Sequence, residues 1–444
     1  MCKVTVIMPS LNVADYIGKC LDSVVGQTLT DIEILAIDAG SADGTAEIIR
    51  ACADKDDRIR FIHSDRKSYG YQINLGLSRA RGEYVGIVET DDWIEQDAYE
   101  ILYRSAREYD ADYVRGVAEC YKETGNGLSY GSPINMFPKK MYEENGGIFR
   151  INPREQREIV LKDLFLWNGI YKRDFLRGIR LNETAGAAYQ DVGFLSQVYD
   201  KAENAVYIDH PIYHYRKDNE TCSTYSRNAF RYLVEEYQFV HTLMKPDDEI
   251  WKLWNDARYF HQIYKRFQFM AETGSYWEEA ESYIGKIYAY FRERQDVLPF
   301  LGEIQREGFM LFLDSPEKLY GFMREKYVLA QQEWERFLTQ VKNREIVIFG
   351  SGKRGYFLQF LLTGKNTGRI LGYCDNDSGK TGEILHGLPV RTLDEWIRET
   401  GNRDVCYVIS AKSCAEEINK QLLENGIKPE HIVQFGLPMD FSVL

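Results

Sequence analysis

The first 120 residues alternate short apolar runs with amphipathic segments, and this alternation constrains the fold more than any other feature. The apolar runs are VTVIM (4–8), IEILAI (32–37), IRFIH (59–63) and YVGIV (84–88). Helical spacing relates the apolar residues between them: Ile17, Leu21, Val24 and Val25, then Ile48, Ile49 and Cys52. Strand–helix alternation of this kind predicts an α/β fold with a mostly parallel sheet flanked by helices.

A polar cluster follows each of the four apolar runs. The clusters are PSLN (9–12), DAGSADGT (38–45), HSDRKS (63–68) and ETDD (89–92). A polar turn would explain any one of them. Because the carboxyl ends of parallel strands meet at one edge, where ligands bind in such sheets, the four together predict a binding site.

The last cluster places three acids within four residues: Glu89, Asp91 and Asp92. The acids repel one another unless something offsets their charge. They could cap the helix predicted over 96–108, since acids are favoured at helix starts. They could also hold a divalent cation, since hard cations prefer carboxylate oxygens. The two roles are compatible, because one acid can cap the helix while another binds a cation.

Beyond residue 120 the pattern changes twice, which predicts three domains: 1–225, a helical region at 226–342, and 343–444. The segment ETGNGLSYGSP (123–133) is predicted to be a loop or lid. The dense aromatic residues of the helical region are predicted to form its core.

The C-terminal part carries Gly350, Gly352 and Gly355 between an apolar run and a helix, with Asp375 about 20 residues further on. This pattern predicts a Rossmann-like nucleotide-binding domain. Its glycines would approach a pyrophosphate, and its acid would hold a ribose hydroxyl. A nicotinamide-dependent sugar oxidoreductase is one alternative, although no Tyr-x-x-x-Lys pair follows the glycines.

Charge and cysteine content limit the partners. A net charge of −13 argues against bulk binding to nucleic acid or anionic lipid. Eight cysteines without a C-x-x-C pair indicate reduced thiols in a cytoplasmic protein. The sequence has neither a leader pattern at its start nor an apolar stretch near the ~20 residues that span a bilayer. Peripheral membrane contact and oligomer formation stay open.

Residues 3–225 resemble the family 2 glycosyltransferases, which have an A-type nucleotide-sugar transferase fold. The motifs that carry the resemblance are SVVGQT (23–28), IEILAIDAGSADGT (32–45), NLGLSRARGEYVGIVETDD (74–92), LWNGIYKRDFL (166–176) and QDVGF (190–194). The resemblance implies inverting transfer of a sugar from a nucleoside diphosphate sugar to a glycan or lipid-linked acceptor. By analogy with the family, the product would be a surface or capsular polysaccharide.

The resemblance also assigns roles to residues. Asp191 corresponds to the catalytic base, with Gln190 where relatives carry Glu. Asp91 and Asp92 correspond to acids that hold Mn²⁺ or Mg²⁺, and His214 resembles positions that reach the metal. Residues assigned to the nucleotide are Pro9, Asn12, Asp38, Asn74, Glu89 and Asp91. Arg66 or Lys67 would supply positive charge to the diphosphate in place of the arginine that Ile73 replaces.

Three departures from the family pattern leave another hypothesis open. Ala39 replaces a second acid, Ile73 replaces an arginine, and Gln190 replaces the glutamate. They would fit a protein that binds or senses a nucleotide sugar through a decayed transferase site. Retention of Asp38, Asp91, Asp92 and Asp191 favours the enzyme.

Overall fold

The computed structural model describes residues 2–124, 127–186, 188–219, 226–274, 277–363 and 368–437. The chain forms two compact units: Met1–Ala118 with Ile134–Tyr320, and Glu119–Pro133 with Gly321–Leu444. The helical region expected at 226–342 is thus divided between the units. The boundary expected at 225 lies outside the described residues.

The large mixed sheet has the order β3-β2-β1-β4-β9-β6-β10-β5, with β7 beside β6 and β8 beside β10. Its strands are β1 (Val4–Ser10), β2 (Ile32–Asp38), β3 (Ile59–His63), β4 (Tyr84–Ile87), β5 (Trp93–Ile94), β6 (Tyr113–Thr124), β7 (Gly127–Ile134), β8 (Ile148–Ile151), β9 (Gly169–Lys172) and β10 (Ala205–Arg216). Strands β1 to β4 are mutually parallel where they pair, and β9 is antiparallel to β4. The expected α/β fold is therefore confirmed, and the sheet is mixed because its strands beyond β4 add antiparallel pairings.

Ten helices accompany this sheet in the first unit as the structure describes it. They are α1 (Ala14–Val25), α2 (Thr45–Ala53), α3 (Tyr69–Arg79), α4 (Ala98–Tyr109), α5 (Lys139–Glu144), α6 (Gln190–Lys201), α7 (Ala229–Leu243), α8 (Glu249–Thr273), α9 (Trp277–Arg292) and α10 (Glu303–Asp314). Helix α1 buries Ile17, Leu21 and Val24 on one face, as their spacing predicts. Phe260 and Phe267 of α8 are fully buried, so these helical aromatics are core residues.

The loop or lid expected at 123–133 is wrong for the described part of that segment, because β6 extends to Thr124 and β7 begins at Gly127. Residues 125–126 of the expected loop lie outside the described residues. The two strands pair with each other, which satisfies their backbone groups. The glycine, serine and proline residues of this segment resemble a loop in composition. Pairing between strands, which composition does not reveal, overrides that signal.

The second unit contains a smaller sheet of order β13-β14-β12-β11-β15-β16. Its elements are β11 (Glu345–Phe349), β12 (Ile370–Cys374), β13 (Ile384–Leu385), β14 (Leu388–Arg391), β15 (Val405–Ile409), β16 (Ile432–Gln434), α12 (Lys353–Leu362), α13 (Leu393–Thr400) and α14 (Ala415–Glu424), preceded by α11 (Pro316–Val341). Every pairing is parallel except that of β13 with β14. Within the described residues, no helix of either unit is long and apolar enough to cross a membrane.

Candidate active site

The polar clusters after β1, β2 and β4 meet at one edge of the large sheet. The Asn12 backbone N–H donates to Ser41 Oγ at 2.8 Å, and the Ala42 N–H donates to Asn12 Oδ1 at 2.9 Å. Thr90 Oγ1 donates to the Pro9 carbonyl at 2.9 Å. The expected convergence of these clusters is therefore confirmed.

Asp38 ends β2 at this edge and is almost fully buried. Its Oδ2 accepts the backbone N–H groups of Gly40 at 2.9 Å and Ser41 at 3.1 Å. The carboxylate thus fixes the turn that carries Ser41 to Asn12. Ala39, where relatives carry a second acid, is buried in the same turn.

A cavity of about 280 Å³ opens beside residues 89–92, which follow β4 and are called the acidic turn below. Its lining consists of Tyr69, Glu89, Asp91, Phe165, Leu166, Trp167, Tyr189, Gln190, Asp191 and Tyr215. Glu89 and Asp91 come from the turn after β4, whereas Asp191 comes from the first turn of α6. The fold therefore brings the expected cation acid Asp91 and the expected base Asp191 to one cavity, with aromatic rings around them.

Asp92 has a different environment from its neighbour Asp91. It is 1% exposed and is not part of the cavity lining. Its Oδ2 accepts the Tyr213 phenol at 2.7 Å, and its Oδ1 accepts the Arg216 backbone N–H at 2.7 Å. Burial, together with the charge of Asp91, raises the pKa of Asp92 well above its usual range. Asp92 thus anchors the acidic turn to β10.

Asp91 is held by the segment that follows β10. The Asn219 amide donates to Asp91 Oδ2 at 2.7 Å, and Arg216 Nε donates to the Asp91 carbonyl at 3.0 Å. Both the carboxylate and the backbone of Asp91 are therefore fixed while the residue lines the cavity.

The negative charges of Asp91 and Asp191 both act on the Glu89 carboxyl. The Tyr69 phenol donates a short hydrogen bond to its Oε1, and its backbone N–H donates to Tyr213 Oη at 3.1 Å. Burial, with a smaller effect of the two neighbouring aspartates, raises the pKa of Glu89 to about 8. A carboxyl with this pKa is mainly protonated at neutral pH.

Asp191 lines the cavity one residue after Gln190 begins α6. Burial raises the pKa of its carboxyl, and the positive charge of Arg258 opposes that rise. Tyr189 precedes the helix in the left-handed conformation, with φ 63°. A left-handed tyrosine is unusual, and such conformations occur often at functional sites.

Gln190 has a structural reason to replace glutamate. Its Oε1 accepts the Gly70 N–H at 2.8 Å, and its Nε2 donates to the Thr184 carbonyl at 2.7 Å. A carboxylate could accept the first bond but could not donate the second. Gln190 therefore joins the start of α3 to the loop that precedes the base.

His214 is not brought to the cavity. Its Nε2 lies 2.7 Å from Glu95 Oε1, and its ring stacks on Trp93 at a centroid distance of 3.5 Å. The side chain is 2% exposed, and burial lowers its pKa. Tyr213 and Tyr215, on either side of it in β10, face the acidic turn and the cavity. The metal role expected for His214 therefore finds no support in this geometry.

Asn74 and Lys67, expected to bind the nucleotide, also lie outside the lining. Asn74 exchanges two hydrogen bonds with the backbone of Leu181, at 2.9 and 3.0 Å, and donates to Glu183 at 3.0 Å. Lys67 is exposed. Ile73, in the place of an arginine, is fully buried in the core.

The sequence did not single out the aromatic lining or the residues that hold the acidic turn. The Trp167 ring stacks on Tyr213 at a centroid distance of 4.2 Å, and its centroid lies 5.1 Å from that of Tyr215. The three rings therefore form one aromatic cluster beside the cavity. Trp167 stands inside the motif LWNGIYKRDFL, which was the available signal. For Tyr69 and Asn219 the sequence offers no comparable signal, because their contacts are long-range.

In the second unit, the glycine pattern forms a tight turn between β11 and α12. Gly350 has φ 106°, and a Cβ on Gly355 would lie 2.1 Å from the Gly350 carbonyl oxygen. Asp375 Oδ2 accepts the Ser351 N–H at 2.9 Å, a bond that helps keep the pKa of Asp375 below its usual value despite burial. The Asp375 carboxylate thus fixes the turn between β11 and α12. Nucleotide binding by Gly350, Gly352, Gly355 and Asp375 stays a prediction.

Comparison with known proteins adds independent findings. Residues 5–179 match the family model described as Glycosyl transferase family 2. GlyA, a glycosyltransferase of Streptococcus pneumoniae, is 34% identical over 217 residues, which cover 48% of this chain but 30% of GlyA. GlyG, a glycosyltransferase of the same organism, is 28% identical over 221 residues, 48% of this chain and 70% of GlyG.

Among solved structures, TarS residues 1–349 of S. aureus in complex with UDP-GlcNAc have a similar fold. The TM-score is 0.56 at 19% identity, and the match covers 74% of this chain and 92% of that one. At this identity the similarity concerns the fold alone. The similarity to glycosyl transferase family 2 thus lies in residues 5–179, and the chain spans 30% of the length of GlyA.

Proposed function

We propose that this chain transfers a sugar from a nucleoside diphosphate sugar to a hydroxyl of a glycan or lipid-linked acceptor, with inversion at the anomeric carbon. The observation that carries the proposal is the cavity in which Asp91 and Asp191 meet. An inverting transfer needs charge compensation on the leaving diphosphate and a base on the acceptor hydroxyl. These two acids supply the residue types for both tasks.

The donor set around Asp91 fits a hard divalent cation such as Mn²⁺ or Mg²⁺. Within the described residues no group of three or more His, Cys, Asp or Glu side chains could hold a metal by itself. This agrees with an ion bound through one or two carboxylates and the substrate's phosphates. Such an ion, when bound, offsets the charge that develops on the diphosphate.

Asp191 acts as the base in this proposal. A carboxyl whose pKa is raised by burial accepts a proton more readily than an exposed one, and Arg258 keeps its ionised form accessible. The rings of Phe165, Trp167 and Tyr215 can cover the apolar face of a sugar and exclude water from the reacting atoms. Asn12, at the neighbouring part of the sheet edge, would contact the nucleoside, and Asp38 would support this contact by holding the turn that carries Ser41.

In this proposal Asp91, rather than Asp91 and Asp92 together, holds the divalent cation. Asp92 supports the turn, and Glu89, mainly protonated, can donate a hydrogen bond to the sugar or ribose. UDP-GlcNAc, present in the TarS complex, is a suitable first donor. We place the reaction in the cytoplasm, in the synthesis of a surface or capsular polysaccharide.

The test is a panel of nucleoside diphosphate sugars with Mn²⁺ or Mg²⁺ and glycan or lipid-linked acceptors. The proposal expects metal-dependent, acceptor-dependent release of nucleoside diphosphate for at least one donor. Calorimetric binding of a donor without turnover on any acceptor would instead support the sensing protein. Tight binding of NAD with no donor binding would favour the oxidoreductase.

A further inference from the structure

Asn219 is a buried polar residue beside Asp91, the acid proposed to hold the divalent cation. It is 7% exposed and lies three residues beyond the end of β10. Its Nδ2 donates to Asp91 Oδ2 at 2.7 Å across 128 residues of sequence. No motif of the family resemblance includes it.

The contacts around the acidic turn divide into two kinds. The turn as a whole is fixed through Asp92, which accepts from Tyr213 and from the Arg216 backbone, and through the Asp91 carbonyl. Asn219 instead holds the Asp91 carboxylate itself. Removing the amide would therefore leave these anchors of the turn in place and remove one hydrogen bond that orients the Asp91 carboxylate.

We propose that Asn219 is a positioning residue that orients the Asp91 carboxylate for a divalent cation. The inference rests on the proposed metal-dependent function. A carboxylate offers about four acceptor sites, so the amide bond to Oδ2 is compatible with metal binding by the same carboxylate. An asparagine is suited to this task because it donates a hydrogen bond without neutralising the charge, as an arginine or lysine would.

The expected effect is on metal affinity. Groups that hydrogen-bond to a ligand typically change metal affinity by about 10- to 100-fold when they are removed. A role confined to protein stability would instead lower the melting temperature equally with and without metal. Metal binding by the full chain separates the two roles without an activity assay.

The experiment is a Mn²⁺ titration of the full chain, followed by the electron paramagnetic resonance of free Mn²⁺. We expect Asn219→Ala to weaken Mn²⁺ binding by about 10- to 100-fold in a variant that still folds without metal, whatever the fall in its melting temperature. Asn145→Ala is the matched control. That exposed amide donates to the Met141 carbonyl at 2.8 Å, far along the chain from the acids. The control should bind Mn²⁺ as wild type does.

The Asn219→Asp variant tests the positioning role of Asn219 in a second, independent way. Two facing carboxylates repel one another, so this variant should melt at a lower temperature without metal, and Mn²⁺ should restore it. A loss of melting temperature that Mn²⁺ does not reverse would contradict the proposal. So would an unchanged Mn²⁺ affinity in a folded Asn219→Ala variant.

These outcomes are distinguishable from failure of the proposed function. If wild type binds Mn²⁺ and Asn219→Ala binds it equally well, the role of Asn219 is wrong and the metal dependence stands. If wild type does not bind Mn²⁺ with or without a nucleoside diphosphate, the metal dependence is wrong and this inference falls with it.

Discussion

Tyr213 and Asp92 are joined by a 2.7 Å hydrogen bond from the phenol to the carboxylate, although 121 residues separate them. The bond ties the turn after β4 to β10. It separates the roles of two adjacent acids, because Asp92 is buried against β10 whereas Asp91 lines the cavity.

This division predicts different outcomes for Asp92→Ala and Asp91→Ala. Removing the Asp92 carboxylate leaves the buried Tyr213 phenol and Arg216 N–H without that acceptor, so the free energy of unfolding should fall by about 1–3 kcal/mol. Asp91→Ala should change stability less and abolish most Mn²⁺ binding. Urea unfolding and Mn²⁺ titration measure the two effects. Loss of Mn²⁺ binding in a fully stable Asp92→Ala variant would contradict the division.

Gln190→Glu tests why this chain departs from the family pattern. The carboxylate would face the Thr184 carbonyl without a proton to donate, which should cost about 1–3 kcal/mol at pH 7. At pH 5 the introduced carboxyl can bind a proton and donate again, so the loss should shrink. Gln96→Glu, at an exposed side chain, is the control. An equal loss at both pH values would argue against the hydrogen bond to Thr184 as the cause.

Glu236 predicts a pH dependence of stability. Burial raises the pKa of this carboxyl from 4.5 to about 8, although it accepts the Gly193 N–H at 2.8 Å. The folded state therefore binds a proton that the unfolded chain releases. Its stabilising effect is complete below pH 4.5 and is lost as pH rises to about 8.

The comparison of wild type with Glu236→Gln isolates this effect. The wild-type free energy of unfolding should lose on the order of a few kcal/mol across that range relative to the variant, whose side chain does not titrate. Urea unfolding at several pH values measures both profiles. Parallel profiles would show that Glu236 is ionised in the folded protein.

Two glycines of the second unit predict opposite results. A Cβ on Gly355 would lie 2.1 Å from the Gly350 carbonyl, whereas one on Gly352 would meet nothing within 4 Å. Gly355→Ala should therefore destabilise the unit by about 1–3 kcal/mol or more. Gly352→Ala should stay within about 1 kcal/mol of wild type. Hydrogen exchange of β11 and α12 reports on this unit alone, and equal protection in both variants would contradict the close packing.

Local patterns were sufficient for β1 to β4 and for α1, α2 and α4. The runs that became β1 and β2 are buried along their whole length because both faces of these strands are covered. The strands in the segment at 123–133 could not be predicted from local patterns, because its composition is typical of a loop and the strands form by pairing with each other.

The candidate site was partly predictable. The family resemblance marked Asp91 and Asp191, and the fold brings both to one cavity. The burial of Asp92 and the pairing of His214 with Glu95 follow from the side of the strand or turn on which each residue lies. Asn219 depends on a contact across 128 residues, which no local pattern encodes.

The central claim is that Asp191 removes the acceptor proton while the cation acid Asp91 serves the diphosphate. The most direct measurement is turnover by Asp191→Ala at saturating donor, Mn²⁺ and acceptor, with donor affinity determined in parallel by calorimetry. The account predicts donor and Mn²⁺ affinities close to wild type and a kcat lower by about 10²- to 10⁴-fold. A kcat within a few-fold of wild type, at unchanged donor affinity, would contradict it.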